Sequence, residues 1–237
     1  MYEEVFMITT EAHISLDRRV SHNLFLLSVE IEKYRQWIPG MFMQISLEKK
    51  SASEPWLDSR AFSFASWGSG MARILVRKEG DFTSRLIENS REGFVTSVRY
   101  PFGNFLLNSK TNKVFLAGGA GISVFLSYID YLNLADTAPE SVIILHSVRN
   151  EDETLRKIYW GKIPKNVNLL QFITNREDQR YAGRFSMDTI RSLISEWDDW
   201  NFYICGPPSF NAYWSENLKA IGVLPNLEQW VNEVINL

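Results

Sequence analysis

The stretch KVFLAGGAGISVFLSYIDYLNLA, residues 113–135, decides how the second half of the chain is read. Its first part, KVFLAGG (113–119), is a short continuous apolar run of the kind a strand buried on both faces requires. Its second part, GISVFLSYIDYLNLA (121–135), changes period: Ile122, Phe125, Leu126, Ile129 and Leu132 fall on one face of a helix. Between them stands Gly118-Gly119-Ala120-Gly121. A strand-to-helix turn built this way presents backbone N–H groups and a helix N-terminus, which suit a phosphate group. It departs from the spaced glycine pattern of dinucleotide sites, and glycine turns also serve packing alone, so the turn by itself carries both readings.

Outward from this stretch the same rhythm continues. SVIILHSV (141–148), NVNLLQFIT (166–174) and NFYICG (201–206) read as further buried strands, separated by helical stretches near 151–160, 186–197 and 208–221. Strands alternating with helices predict a parallel sheet with helices on both faces. Arg149 and Arg176 follow the second and third strands, and Cys205-Gly206-Pro207-Pro208 follows the last. Ligands of such sheets sit at the carboxyl ends of the strands, so two arginines and two glycine turns converge on one edge. Each alone also has an ordinary role: a solvated surface cation for either arginine, a core thiol for Cys205.

The first part of the chain has a different period. NLFLLSVEIE (23–32), GMFMQISLEK (40–49), RAFSFAS (60–66), ARILVRKE (72–79) and FVTSVRYP (94–101) are short runs rich in β-branched and aromatic residues, punctuated by glycine and proline. One helix is predicted, TSRLIENSR (83–91), with Thr83 as N-cap. Strands at this spacing predict a small antiparallel barrel. The polar junction LLNSKTNK (106–113) divides the chain into 1–108 and 109–237.

Composition narrows the function classes. Of 237 residues 45% are hydrophobic, and the net charge is −3, which argues against general nucleic-acid binding. One cysteine excludes an internal disulfide and a cysteine-held iron–sulfur cluster within this chain. No apolar run reaches the roughly 18 residues of a membrane-spanning helix, and the opening MYEEVFMITTEAH lacks the order of a signal peptide. These features predict a cytoplasmic enzyme.

Taken in order, PGMFMQI (39–45), RAFSFAS (60–66), GDFTSRL (80–86), PFGNF (101–105), AGGAGIS (117–123), ICGPP (204–208) and LEQWV (227–231) resemble the ferredoxin–NADP reductase superfamily over nearly the whole chain. The resemblance implies an antiparallel FAD-binding β-barrel (1–108) followed by a Rossmann-like α/β domain for NADPH or NADH (109–237). It implies that Arg60 neutralises the FAD pyrophosphate, that Ser63 bonds near the flavin N5 edge, and that Phe62 covers a ring face. Ala61, Val76, Arg77, Gly80, Phe82 and Thr83 are the other flavin-side positions it marks. Gly119, Ala120 and Gly121 would cradle the nicotinamide nucleotide, Cys205 and Gly206 would lie near its ring, and Arg176, with Arg149, would meet a 2′-phosphate. Trp230 is the aromatic placed to cover the flavin, with a core tryptophan as the competing reading. Ser63, Cys205 and Trp230 are thus the expected catalytic residues. Departures from the family pattern are Ala61, Phe62, Ala120, Val124 and Phe210. The function implied is electron transfer from NAD(P)H through FAD to a separate acceptor protein such as ferredoxin or flavodoxin. Reduction of free flavin, or a non-catalytic subunit role, are the alternatives.

Overall fold

The computed structural model describes residues 7–68, 70–107, 111–134, 141–175 and 183–227. Their contacts group them into two compact units. The first holds residues 7–107 of the described chain together with the helix at 123–134, and the second holds 111–122 and 141–227.

In the first unit six antiparallel strands are ordered β4-β3-β6-β1-β2-β5, where β1 is Ile8–Arg19, β2 Leu24–Ile31, β3 Phe42–Ile45, β4 Arg60–Ser63, β5 Met71–Arg77 and β6 Phe94–Phe102. The sheet curls nearly shut. Just past β4, the Ala65 N–H donates to the Arg73 carbonyl of β5 at 2.7 Å, and the Arg73 N–H donates to Ser66 Oγ at 2.8 Å. Alternation supplies the core: Phe25, Leu27, Val29 and Ile31 of β2 and Ala72, Ile74 and Val76 of β5 all point inward. Each large aliphatic side chain buried there stabilises the fold by roughly 1.5–3 kcal/mol. Trp37 stacks on Phe64 at 4.2 Å and its indole N–H donates to the Ser66 carbonyl, so the interior is filled and its polar atom satisfied.

β1 was not among the strands the sequence predicts. Its outward positions carry Glu11, His13, Asp17 and Arg19, and its register shifts between Leu16 and Arg18, so the alternation is broken near its end. The helix α1 (Asp81–Ser90) begins two residues before the predicted start. Gly80, not Thr83, is its N-cap. Thr83 Oγ1 instead accepts from the Glu79 N–H at 3.0 Å and donates to the Gly80 carbonyl at 3.3 Å, tying the loop to the first turn. The helix α2 (Ser123–Leu134) counts with this unit: the Trp67 N–H donates to Asp130 at 3.3 Å, and Trp67 meets Tyr131 edge-on at 5.0 Å.

The second unit is a five-stranded parallel sheet ordered β11-β10-β7-β8-β9, with β7 at Asn112–Gly118, β8 at Val142–Val148, β9 at Val167–Ile173, β10 at Trp200–Cys205 and a short β11 at Asn226–Leu227. Every pairing in it is parallel. β7 is buried on both faces, which explains its unbroken apolar run. On one face Val114, Leu116, Ile143, Leu145, Phe172, Phe202 and Ile204 pack with Ile190 of α4 (Met187–Arg191) and with Trp214 and Leu218 of α5 (Pro208–Lys219). The predicted helix at 151–160 is shorter, a 3₁₀ turn at Glu151–Glu153 and then α3 (Leu155–Ile158). From β7 the chain builds outward on one side through β8 and β9, then returns to the other side with β10. The order therefore reverses between β7 and β10, and the carboxyl ends of those two strands form the crevice where open α/β sheets take ligands.

Candidate functional site

In the first unit the predicted residues gather at β4 and the start of α1. On β4, Arg60 and Phe62 share one face and Ala61 and Ser63 the other, because side chains alternate along a strand. The Arg60 guanidinium lies over the Phe82 ring at 5.3 Å and donates to the Ser59 carbonyl at 2.7 Å. Phe62 stacks on Phe82 with centroids 6.3 Å apart and planes 27° apart. One exposed cation and two half-buried rings thus form a single surface at the α1 N-terminus. Arg77 is held elsewhere, its guanidinium donating to Asn23 Oδ1 at 3.0 Å. Val76 is wholly buried in the barrel core, which leaves only its backbone for any ligand.

Two features of this region are not demanded by the fold. Gly80 has φ 164°, an extended conformation open to any residue, and a Cβ added there would meet nothing within 4 Å. Its absence keeps the first-turn N–H groups of α1 open, and those groups have no partners within the helix. Ser63 Oγ is buried yet has no hydrogen-bond partner. A buried hydroxyl left unpaired costs about 1–3 kcal/mol, so such a group calls for a partner.

In the second unit the glycine turn and the Cys205 turn meet. Gly119 to Ile122 form a 3₁₀ turn after β7, with Gly119 at φ +53°. A Cβ on Gly121 would stand 2.2 Å from the Cys205 carbonyl oxygen and 2.8 Å from the Gly206 nitrogen. Only glycine lets the two turns approach this closely. Ala117 pairs with Cys205 in the parallel register, which fixes that approach, and Cys205 itself is buried. The carboxyl ends of β8 and β9 are joined in turn: the Thr174 N–H donates to the Val148 carbonyl at 2.8 Å, and the Asn175 N–H to the Arg149 carbonyl at 3.2 Å. Arg149 is exposed beside them.

His146 is a site residue the sequence reading did not single out, although it lies in the same HSVRNEDE run as Arg149. It is fully buried on β8, and its Nε2 lies 3.0 Å from the Gly119 carbonyl oxygen. Burial holds its imidazole down to about 4, against smaller upward pulls from that hydrogen bond and from Glu153. The ring is therefore neutral at pH 7. Because a carbonyl only accepts, Nε2 carries the proton and donates to the turn. The clue available in the sequence was a lone histidine in an otherwise apolar strand, which is equally the mark of a core residue.

Structure thus brings Arg60, Phe62 and Phe82 together and sets Ser63, Gly80 and Thr83 on the same two elements. It brings Gly121 against Cys205 and Gly206, and it joins the chain ends that carry Arg149 and Asn175. Arg176 and Trp230 lie outside the described residues. Among the described residues no group of three or more His, Cys, Asp or Glu is placed to hold a metal ion. No helix among them is long and apolar enough to cross a membrane.

Residues 115–216 match the oxidoreductase NAD-binding domain family. The chain is 24% identical over 206 residues to a flavohemoprotein of Oceanobacillus iheyensis, covering 80% of this chain and 50% of that protein. It is 25% identical over 203 residues to the 2-halobenzoate 1,2-dioxygenase electron transfer component of Burkholderia cepacia, covering 81% and 58%. The chain thus spans only about half to three-fifths of the length of these relatives. Its fold matches a ferredoxin NADP+ reductase from Neisseria gonorrhoeae, solved with bound FAD and NADP, with a TM-score of 0.71 at 16% identity over 90% of this chain and 92% of that one.

Proposed function

We propose that this chain, an oxidoreductase of the ferredoxin–NADP reductase type, takes electrons from NADPH or NADH and passes them through FAD to a separate one-electron acceptor. The observation that carries the reading is the surface at the α1 N-terminus where the exposed Arg60 guanidinium lies over the Phe82 ring and Phe62 stacks on the same ring; the buried, unpartnered Ser63 hydroxyl lies on the other face of β4. When bound, the cofactors themselves supply hydride and single-electron chemistry. The chain's residues bind and orient. Arg60 and the open first turn of α1 offer positive charge and N–H donors to a pyrophosphate. Phe62 and Phe82 offer apolar ring surface, and Phe62, lacking a hydroxyl, can pack against a flavin but not hydrogen-bond to it. Ser63 provides one hydroxyl for a polar edge of the flavin ring. In the second unit the N–H groups of the 119–122 turn would hold the nicotinamide nucleotide's pyrophosphate, and Arg149 with Arg176 would supply positive charge for a 2′-phosphate. Ferredoxin or flavodoxin, as small one-electron carriers, fit the acceptor role.

The test is an absorbance spectrum of the purified chain followed by anaerobic titration with NADPH and NADH. Bound flavin that bleaches on titration supports the reading. Protein that purifies without flavin yet turns over added FMN or riboflavin at micromolar concentration would make flavin a substrate. Bound FAD that neither nucleotide reduces would leave an electron-transfer module without reductase activity.

A further inference from the structure

Gly118 and Gly206 stand at the carboxyl ends of β7 and β10, and neither adopts a left-handed φ that would call for glycine. What both positions lack is room for a side chain, and the obstacle at both is Phe210. A Cβ on Gly118 would stand 3.0 Å from Phe210 Cγ and 3.2 Å from its Cδ2, and one on Gly206 would stand 2.7 Å from its Cδ1. One ring edge therefore lies across both glycines. The two are themselves close, since the Cβ on Gly206 would also stand 3.1 Å from Gly118 Cα. The start of α5 delivers the ring, with the Phe210 N–H donating to the Pro207 carbonyl at 2.9 Å. Two further rings hold it: Phe185, edge-on at 6.0 Å, and Trp214 at 6.3 Å, both buried and stacked on each other at 4.7 Å. Phe210 is half-buried, at the margin of that cluster.

We propose that Phe210 is a positioning residue for the nicotinamide nucleotide: its ring is a wedge that sets the spacing of the turns following β7 and β10. The parallel register of these strands ends at Ala117 and Cys205. Beyond that pair the sheet ladder no longer fixes one turn against the other, and packing must do so. Gly121 supplies one such contact, against the Cys205 carbonyl. Phe210 supplies the second, against Gly118 and Gly206 together. Displacing a positioned group by about 1 Å can cost roughly a hundredfold, so the ring can govern nucleotide binding without touching the ligand. This role rests on the reading of the crevice between β7 and β10 as the nicotinamide nucleotide site.

The experiment uses the full chain with FAD supplied, and the variants Phe210→Leu, Phe210→Val, Phe210→Ala, Gly206→Ala and the double variant Gly206→Ala/Phe210→Val. NADH and NADPH binding is measured by calorimetry, KM and kcat with ferricyanide as acceptor, FAD affinity by fluorescence titration and stability by thermal melting. Leucine keeps a branch at Cγ and two Cδ carbons, the atoms that meet the glycines, so Phe210→Leu should stay within about threefold of wild type in nucleotide Kd. Valine and alanine carry no Cδ. Those variants should raise Kd and KM for both nucleotides about tenfold, with a smaller change in kcat and an unaltered FAD affinity. Gly206→Ala should lower the melting temperature because its methyl meets the ring, and in the double variant the two losses should be far less than additive, because the ring edge is gone. Wild-type nucleotide Kd and KM in Phe210→Val would overturn the wedge, even should Phe210→Ala fail to fold. Additive melting losses at 206 and 210 would overturn it too, as would FAD affinity falling in step with nucleotide affinity, which marks a general loss of structure. Wild-type protein that binds neither nucleotide would sink the nucleotide reading instead, with the melting of the double variant still deciding whether the ring wedges the turns.

Discussion

At the scale of single residues, the roles proposed for Ser63 and Arg60 divide two tasks between positions three apart on one strand. The Ser63 hydroxyl is small and buried, so Ser63→Ala should keep the fold and most of the FAD affinity. If that hydroxyl steadies the flavin edge more in the transition state than in the ground state, losing it slows hydride transfer by about tenfold, equivalent to roughly 1.4 kcal/mol. Stopped-flow bleaching of the flavin by NADPH under anaerobic conditions isolates this step, and an unchanged rate with FAD fully bound would remove Ser63 from the chemistry. Arg60→Ala acts on binding instead. Loss of a charge-assisted contact to pyrophosphate should weaken FAD by roughly 1.5–3 kcal/mol, read as a higher Kd in a fluorescence titration. Its cation–π contact with Phe82 also goes, so a matched melting curve is needed to show that affinity, and not packing, has changed. Arg176→Ala should raise KM for NADPH and leave NADH nearly unaltered, because only NADPH carries the 2′-phosphate. An equal loss for both nucleotides would assign that arginine to a shared part of the ligand.

At the scale of elements, the turns that close β7 and β10 are built against each other. Gly121→Ala places a methyl 2.2 Å from the Cys205 carbonyl, inside any tolerable contact. Backbone must move, and overpacking of this kind costs about 1–3 kcal/mol. The expected result is a melting temperature lower by several degrees together with weakened binding of both nucleotides; a variant as stable as wild type would show that the turns separate freely. How much of this could be read beforehand depended on the kind of signal. β2, β5 and β7 were legible because their apolar residues keep period two or run unbroken. β1 was not, because its solvent-facing charges and its bulge hide the alternation that Ala12 and Ile14 still carry. The start of α1 was misplaced for a related reason. Thr83 is a good capping residue by type, but its hydroxyl works from inside the first turn while Gly80 caps with backbone alone. On the site, Arg60, Phe62 and the glycine turn were visible as motifs. His146 was not, since its contact with the Gly119 carbonyl arises from strand register, and no local pattern records which residues two strands will set side by side.

At the scale of the whole molecule, the buried imidazole of His146 makes stability depend on acid. Its ordinary value near 6.5 describes the unfolded chain, and burial lowers it to about 4 in the native state. Between those values the unfolded chain binds more protons, so stability is full above about pH 6.5 and falls as the pH drops toward 4. The loss attributable to this one residue is on the order of 3 kcal/mol, with the smaller upward pulls of the Gly119 carbonyl and Glu153 already included in its native value. Urea unfolding from pH 7 to 4 should show that slope, and His146→Gln should flatten it; an identical acid limb in the variant would assign the loss to other groups. The order of strands in the parallel sheet has a separate consequence, for the route by which the chain folds. β7 meets β8 early, across one crossover, but its other neighbour, β10, arrives only after β8 and β9 have been passed along the chain. Contacts between Ala117 and Cys205 therefore close the longest loop in this sheet and carry its largest entropy cost. The crevice between β7 and β10 is accordingly completed late, so a chain caught midway can hold a sound three-stranded half-sheet and still lack that crevice.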